Sequence, residues 1–192
     1  GWQAQRALRE ASRAQAMQRF IAELFQDAGT SPNTPIDLRS LLDMGILRGE
    51  HSLAKQPQAR AELYGVVAQL RLGLGDYREA EDLLERQARL LARLPDAPTS
   101  LQLEATTLRG NVQRQLGNVR GCVVQMQPLE AVAREEEQQL SAQAAAFYIQ
   151  LGRCQRDLDQ RGIAERLFTR AMELRRKDDD DAGVAEAMLD MA

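Results

Sequence analysis

The chain has 192 residues, 44% of them apolar and only 4% aromatic, and its 25 basic and 28 acidic side chains leave a formal charge of −3. That content suits one elongated, all-α domain, and the interspersed Arg and Glu offer no basic face for nucleic acid. No run reaches the roughly 18 to 20 apolar residues needed to cross a bilayer.

In chain order, residues 2 to 27 read as one helix. Its first half, Gln3 to Gln15, is rich in Gln, Arg and Ala, whereas Met17, Phe20, Ile21, Leu24 and Phe25 form an apolar stripe at helical spacing. The stripe is expected to pack on the following helix, with a homodimer seam as the alternative. Gly29 to Asn33 breaks the pattern, and Thr34 as N-cap with Pro35 at the first helical position restarts it. The second helix runs to about Lys55 and carries Leu38, Leu41, Leu42, Leu47 and Leu53. Residues 1–57 are therefore a leading helical pair, the second helix serving as a degenerate cap.

Beyond residue 57 the chain repeats. Gly75, Gly117 and Asp159 each end a helical pattern, each 42 residues after the last, and the same step aligns Ala68 with Gly110 and Gly152, Ala80 with Cys122 and Ala164, and Leu84 with Met126 and Phe168. Small residues recur where helices must cross closely, and residues tolerant of positive φ recur where two helices must turn. The pattern predicts three helix–turn–helix units, 58–99, 100–141 and 142–183, with helices over 59–73 and 77–93, 100–116 and 119–139, and 141–158 and 161–177. Pro128 falls inside the second helix of the middle unit and should kink it. Val184, Met188, Leu189 and Met191 begin the first helix of a fourth, truncated unit, so the sequence reads as a segment of a longer chain. Two helices cannot bury their own apolar faces, so such units stack into a solenoid.

These columns resemble the tetratricopeptide repeat, a helical hairpin of roughly 34 residues. Tyr64, Val67 and Ala68 match its first helix, Leu74, Gly75, Asp76 and Tyr77 its turn, and Ala80 and Leu84 its second helix. The resemblance implies a right-handed superhelix whose concave face, lined by the first helix of each unit, binds ligands. The lead-in, Arg19 to Phe25, then Leu38 to Gly45, then Gln56 and Pro57, is similar to the segment after the membrane helix in bacterial receptor-like serine/threonine kinases with C-terminal repeats of this type. That likeness implies a sensor module on the extracytoplasmic side, anchored next to its N-terminus. A cytoplasmic regulator binding a peptide or adaptor protein is the alternative. No kinase motif is present in the chain itself.

No catalytic, metal or cofactor site is expected. His51 is the only histidine, so no two-histidine metal site or histidine pair can form. Asp178 to Asp181 lacks the glycine and spaced ligands of a calcium loop and reads as a solvated connection. Cys122 and Cys154 lack the tight spacing of a metal or redox motif; reduced, buried packing cysteines are expected, and a disulfide between adjacent helices is the alternative. The predicted concave face comprises Glu62, Gln69, Leu72, Glu104, Thr107, Asn111, Arg114, Gln115, Ile149, Arg153 and Arg156. Gln69 is a candidate ligand contact on this face, and Asn111 and Gln115 are candidate contacts for a peptide backbone. Arg114, Arg153 and Arg156 are expected to converge on a carboxylate or phosphate, so the expected partner is an acidic peptide or protein.

Overall fold

The computed structural model describes residues 1–5, 8, 15, 17, 19–23, 26, 37–178 and 181–192, the side chains of 181–184 excepted. Among these every regular element is helical, and no strand occurs. Helix α1 spans Leu38–Ser52, α2 Pro57–Gly73, α3 Tyr77–Ala92, α4 Thr99–Gln115, α5 Val119–Met126, α6 Glu130–Glu135, α7 Ser141–Asp157, α8 Arg161–Lys177 and α9 Asp181–Met191. A 3-10 turn, Gln127–Leu129, separates α5 from α6. Pro128 therefore breaks the second helix of the middle unit at the point where the sequence predicts a kink, because its ring removes a backbone donor. Thr34 and Pro35 lie outside the described residues. The cap observed on α1 is Asp37, whose side chain accepts from the Arg39 amide at 3.4 Å.

Three hairpins follow, α2–α3, α4–α5 with its α6 extension, and α7–α8, and each turns through one left-handed residue. Gly75 has φ 79°, Gly117 φ 82° and Asp159 φ 61°. The same hydrogen bond closes each turn: Asp76 N–H donates to the Arg71 carbonyl at 2.9 Å, Asn118 to Gln113 at 2.8 Å and Gln160 to Gln155 at 2.9 Å. The 42-residue register is thus reproduced atom for atom at the turns.

Neighbouring hairpins share their cores. α3 packs on α4, α4 on α7 and α8 on α9. One cluster joins Phe20, Leu42, Ile46, Leu63, Val67, Leu84 and Val112, and a second joins Leu103, Met126, Phe147, Leu151, Leu167 and Leu174. Since Leu103 and Val112 both belong to α4, that helix bridges the two. Met17 and Phe20 are buried, and an added Cβ at Gly49 would meet Phe20 Cζ at 3.3 Å, so the leading stripe docks on α1. Leu24 and Phe25 lie outside the described residues. Leu38 and Leu47 are exposed, and Ile46 fills the core position instead.

The small-residue column marks the closest crossings. A Cβ on Gly110 would sit 2.3 Å from Met126 Sδ, and one on Gly152 would sit 2.6 Å from Phe168 Cε1. Cys122, in the next column, is fully buried and bonded to Cys154, with Cα atoms 6.4 Å apart. This corrects the expectation of reduced cysteines. The link ties α5 to α7, two helices of successive hairpins.

Candidate functional site

The first helices of the three hairpins, α2, α4 and α7, together line a groove of about 210 Å³. Its walls carry Glu62, Gly65, Val66 and Gln69 from α2, Leu101, Glu104, Ala105, Thr107 and Leu108 from α4, Gln143 and Ala146 from α7, and Gln87 reaching in from α3. Helical spacing explains the set: Glu62, Val66 and Gln69 fall three or four residues apart on one side of α2, as do Leu101, Glu104, Ala105 and Leu108 on α4. Gln143 donates to Glu104 across the groove at 3.4 Å, and Thr107 Oγ1 donates to the Leu103 carbonyl at 2.7 Å.

Of the residues assigned to the open face, Glu62, Gln69, Glu104 and Thr107 meet in this groove. Asn111 and Gln115 do not; they stand a turn further along α4, with Gln115 Nε2 3.5 Å from Asn111 Oδ1. Ile149 is 2% exposed and belongs to the core. Helix α7 is enclosed by α4, α5, α8 and α9, so little of it remains free to face solvent.

The three arginines do come together, Arg114 and Arg156 at Asp157 and Arg153 and Arg156 at Asp190, but on carboxylates of the chain itself. Arg114 Nε bonds Asp157 at 2.6 Å. Arg153 pairs with Glu186 at 2.9 Å and Asp190 at 3.0 Å, and Arg156 pairs with Asp190 at 3.2 Å while lying 5.6 Å from the Phe168 ring centroid. Each guanidinium therefore meets a carboxylate of the next first helix, Asp157 of α7 or the acidic residues of α9. Their charge is spent on joining hairpins, which composition alone could not reveal because the partners lie 33 to 43 residues away.

Two further polar clusters were not legible in the sequence. Tyr64 donates to Glu50 Oε1 at 3.1 Å, and Arg86 reaches the same carboxylate at 3.1 Å. Two repeats later Tyr148 donates to Glu137 at 2.6 Å, and Arg170 bonds that carboxylate as well. The tyrosines and arginines share the repeat register, but the two glutamates do not, so no repeat comparison pairs them. The Arg170 bond, helped by the Tyr148 bond and outweighing burial, which acts in the opposite sense, leaves the Glu137 carboxyl below its ordinary pKa. Burial first, and then Glu137, raises the Tyr148 hydroxyl. Among the described residues no group of three or more His, Cys, Asp or Glu side chains is placed to hold a metal ion.

This geometry defines an all-helical protein of stacked hairpins with a side-chain-sized groove. No protein-family model matches the chain, and no curated protein sequence matches it. A solved structure does resemble it: BtubC (BKLC) from P. vanneervenii, with a TM-score of 0.61 at 20% sequence identity over 90% of this chain. The chain spans 63% of the length of that protein, and at this identity the likeness concerns the fold.

Proposed function

We propose that the chain is a non-enzymatic peptide- or protein-binding module, a right-handed superhelix of tetratricopeptide-like hairpins whose first helices form the binding face. The groove lined by α2, α4 and α7 carries this reading, since one ligand laid across it touches three successive units. Stacked hairpins generate extended surfaces of this kind without any catalytic group. The three left-handed turn residues at one pitch and the glycine crossings support the tetratricopeptide register.

The proposed setting is the extracytoplasmic side of a bacterial membrane, as the sensor part of a receptor-like serine/threonine kinase. The likeness of Arg19 to Gly45 to that kinase segment suggests it, and the Cys122–Cys154 disulfide supports it, because such bonds persist in oxidising compartments. A topology reporter fused to the C-terminus of the full-length parent tests the placement. An extracytoplasmic signal, with both cysteines resistant to alkylation in intact cells, is expected. A cytoplasmic signal, or a parent without a kinase domain, would contradict it.

A further inference from the structure

Gln87 is 1% exposed, yet its amide is only half satisfied. Nε2 donates to the Ala61 carbonyl at 2.9 Å, which fixes the orientation of the amide. Oε1 is then left without a hydrogen-bond partner, in a side chain that lines the groove. Gly65 makes room for this amide in the wall: a Cβ there would come within 2.7 Å of Gln87 Nε2. An unpaired buried acceptor costs free energy unless a ligand donor meets it.

The charges around it point to the donor. The groove lining contains two carboxylates, Glu62 and Glu104, and no basic side chain. Val66, Leu108 and Ala146 supply apolar wall. At about 210 Å³ the groove lies below the roughly 300 to 1,000 Å³ of small-molecule sites, which suits one long side chain. An alkyl stem ending in a cation can lie along apolar wall while its head meets oxygen acceptors.

We propose that this groove takes the lysine or arginine side chain of an extended peptide, the cationic head meeting Gln87 Oε1 and the Glu62 and Glu104 carboxylates. The inference rests on the reading of the groove as a peptide-binding face and assigns that peptide a basic rather than an acidic residue.

The test is a titration of the full chain, followed by amide chemical shifts, with acetylated and amidated pentapeptides Gly-Ala-Xaa-Ala-Gly in which Xaa is lysine, norleucine or glutamate. The lysine peptide should shift Gly65, Glu104 and Thr107 saturably, with a Kd about tenfold below that of the norleucine peptide, as one charge-assisted hydrogen bond provides. The glutamate peptide should bind more weakly than either. Gln87→Leu should erase the lysine preference. Because that change also removes the bond to Ala61, Glu104→Gln serves as a second variant and should reduce the preference with an unchanged melting curve. Norleucine or glutamate binding as tightly as lysine would overturn the cation assignment while leaving the peptide-binding face standing. If no peptide shifted these three amides, both would fall.

Discussion

Gly117 and Gly152 separate two reasons for a glycine. Gly117 has φ 82° and nothing within 4 Å of an added Cβ, so its requirement is conformational. Gly152 sits within α7 with Phe168 2.6 Å from the same hypothetical atom, so its requirement is space. Gly117→Ala should cost about 1–2 kcal/mol through left-handed strain alone. Gly152→Leu should cost about 1–3 kcal/mol by overpacking, since Phe168 is itself buried and has no room to retreat. Denaturant melts of both variants would check this, and a wild-type midpoint for either would remove its assigned role. Asp159 adopts φ 61° without being glycine, so Asp159→Gly should be neutral or raise the midpoint. Such positions were legible because few residue types tolerate positive φ or a close crossing. Leu70 was not: it lies 42 and 84 residues before Val112 and Cys154, which are buried, yet it is 47% exposed.

Helices α2 and α7 are each held at a tyrosine by a carboxylate from the preceding segment and an arginine from the following helix. At Glu137 the depressed carboxyl pKa fixes the direction of the pH dependence. A group whose pKa is lower in the folded state contributes stability above its unfolded pKa and loses it as pH falls through the folded value. Stability should therefore decline on acidification through and below the ordinary carboxylate range, and Glu137→Gln should flatten that slope, as thermal melts across the range would register. A slope unchanged in the variant would assign the acid sensitivity to other carboxylates, Asp76 among them, which is likewise depressed, first by its bond to Arg39 and then by Arg71. The disulfide belongs to this scale too. The cysteine spacing carried no motif, and only the packing of α5 on α7 brings the two residues together. Replacing both with alanine should cost about 2–4 kcal/mol, and reduction of the wild type should lower its melting temperature similarly.

Across the whole molecule, the 42-residue step made the hairpin order legible, because each unit buries against the next and the burial repeats. The groove was legible only in part. Periodicity grouped Glu62, Gln69 and Glu104, which line one groove, but it could not say that Arg114, Arg153 and Arg156 were already paired, since ion pairs between units depend on which acidic residues α7 and α9 present. On the proposed reading, the arginines hold the stack together while the groove between α2, α4 and α7 takes the ligand. The most direct measurement compares Glu104→Gln with the double variant Arg153→Glu and Arg156→Glu, recording for each the melting curve, hydrogen exchange along α9 and affinity for the lysine pentapeptide. Loss of affinity with an unchanged melt is predicted for Glu104→Gln. For the double variant a lower melting temperature and faster exchange in α9 are expected, with affinity retained. Affinity lost in the arginine variant and kept in Glu104→Gln, with both proteins equally stable, would contradict that reading.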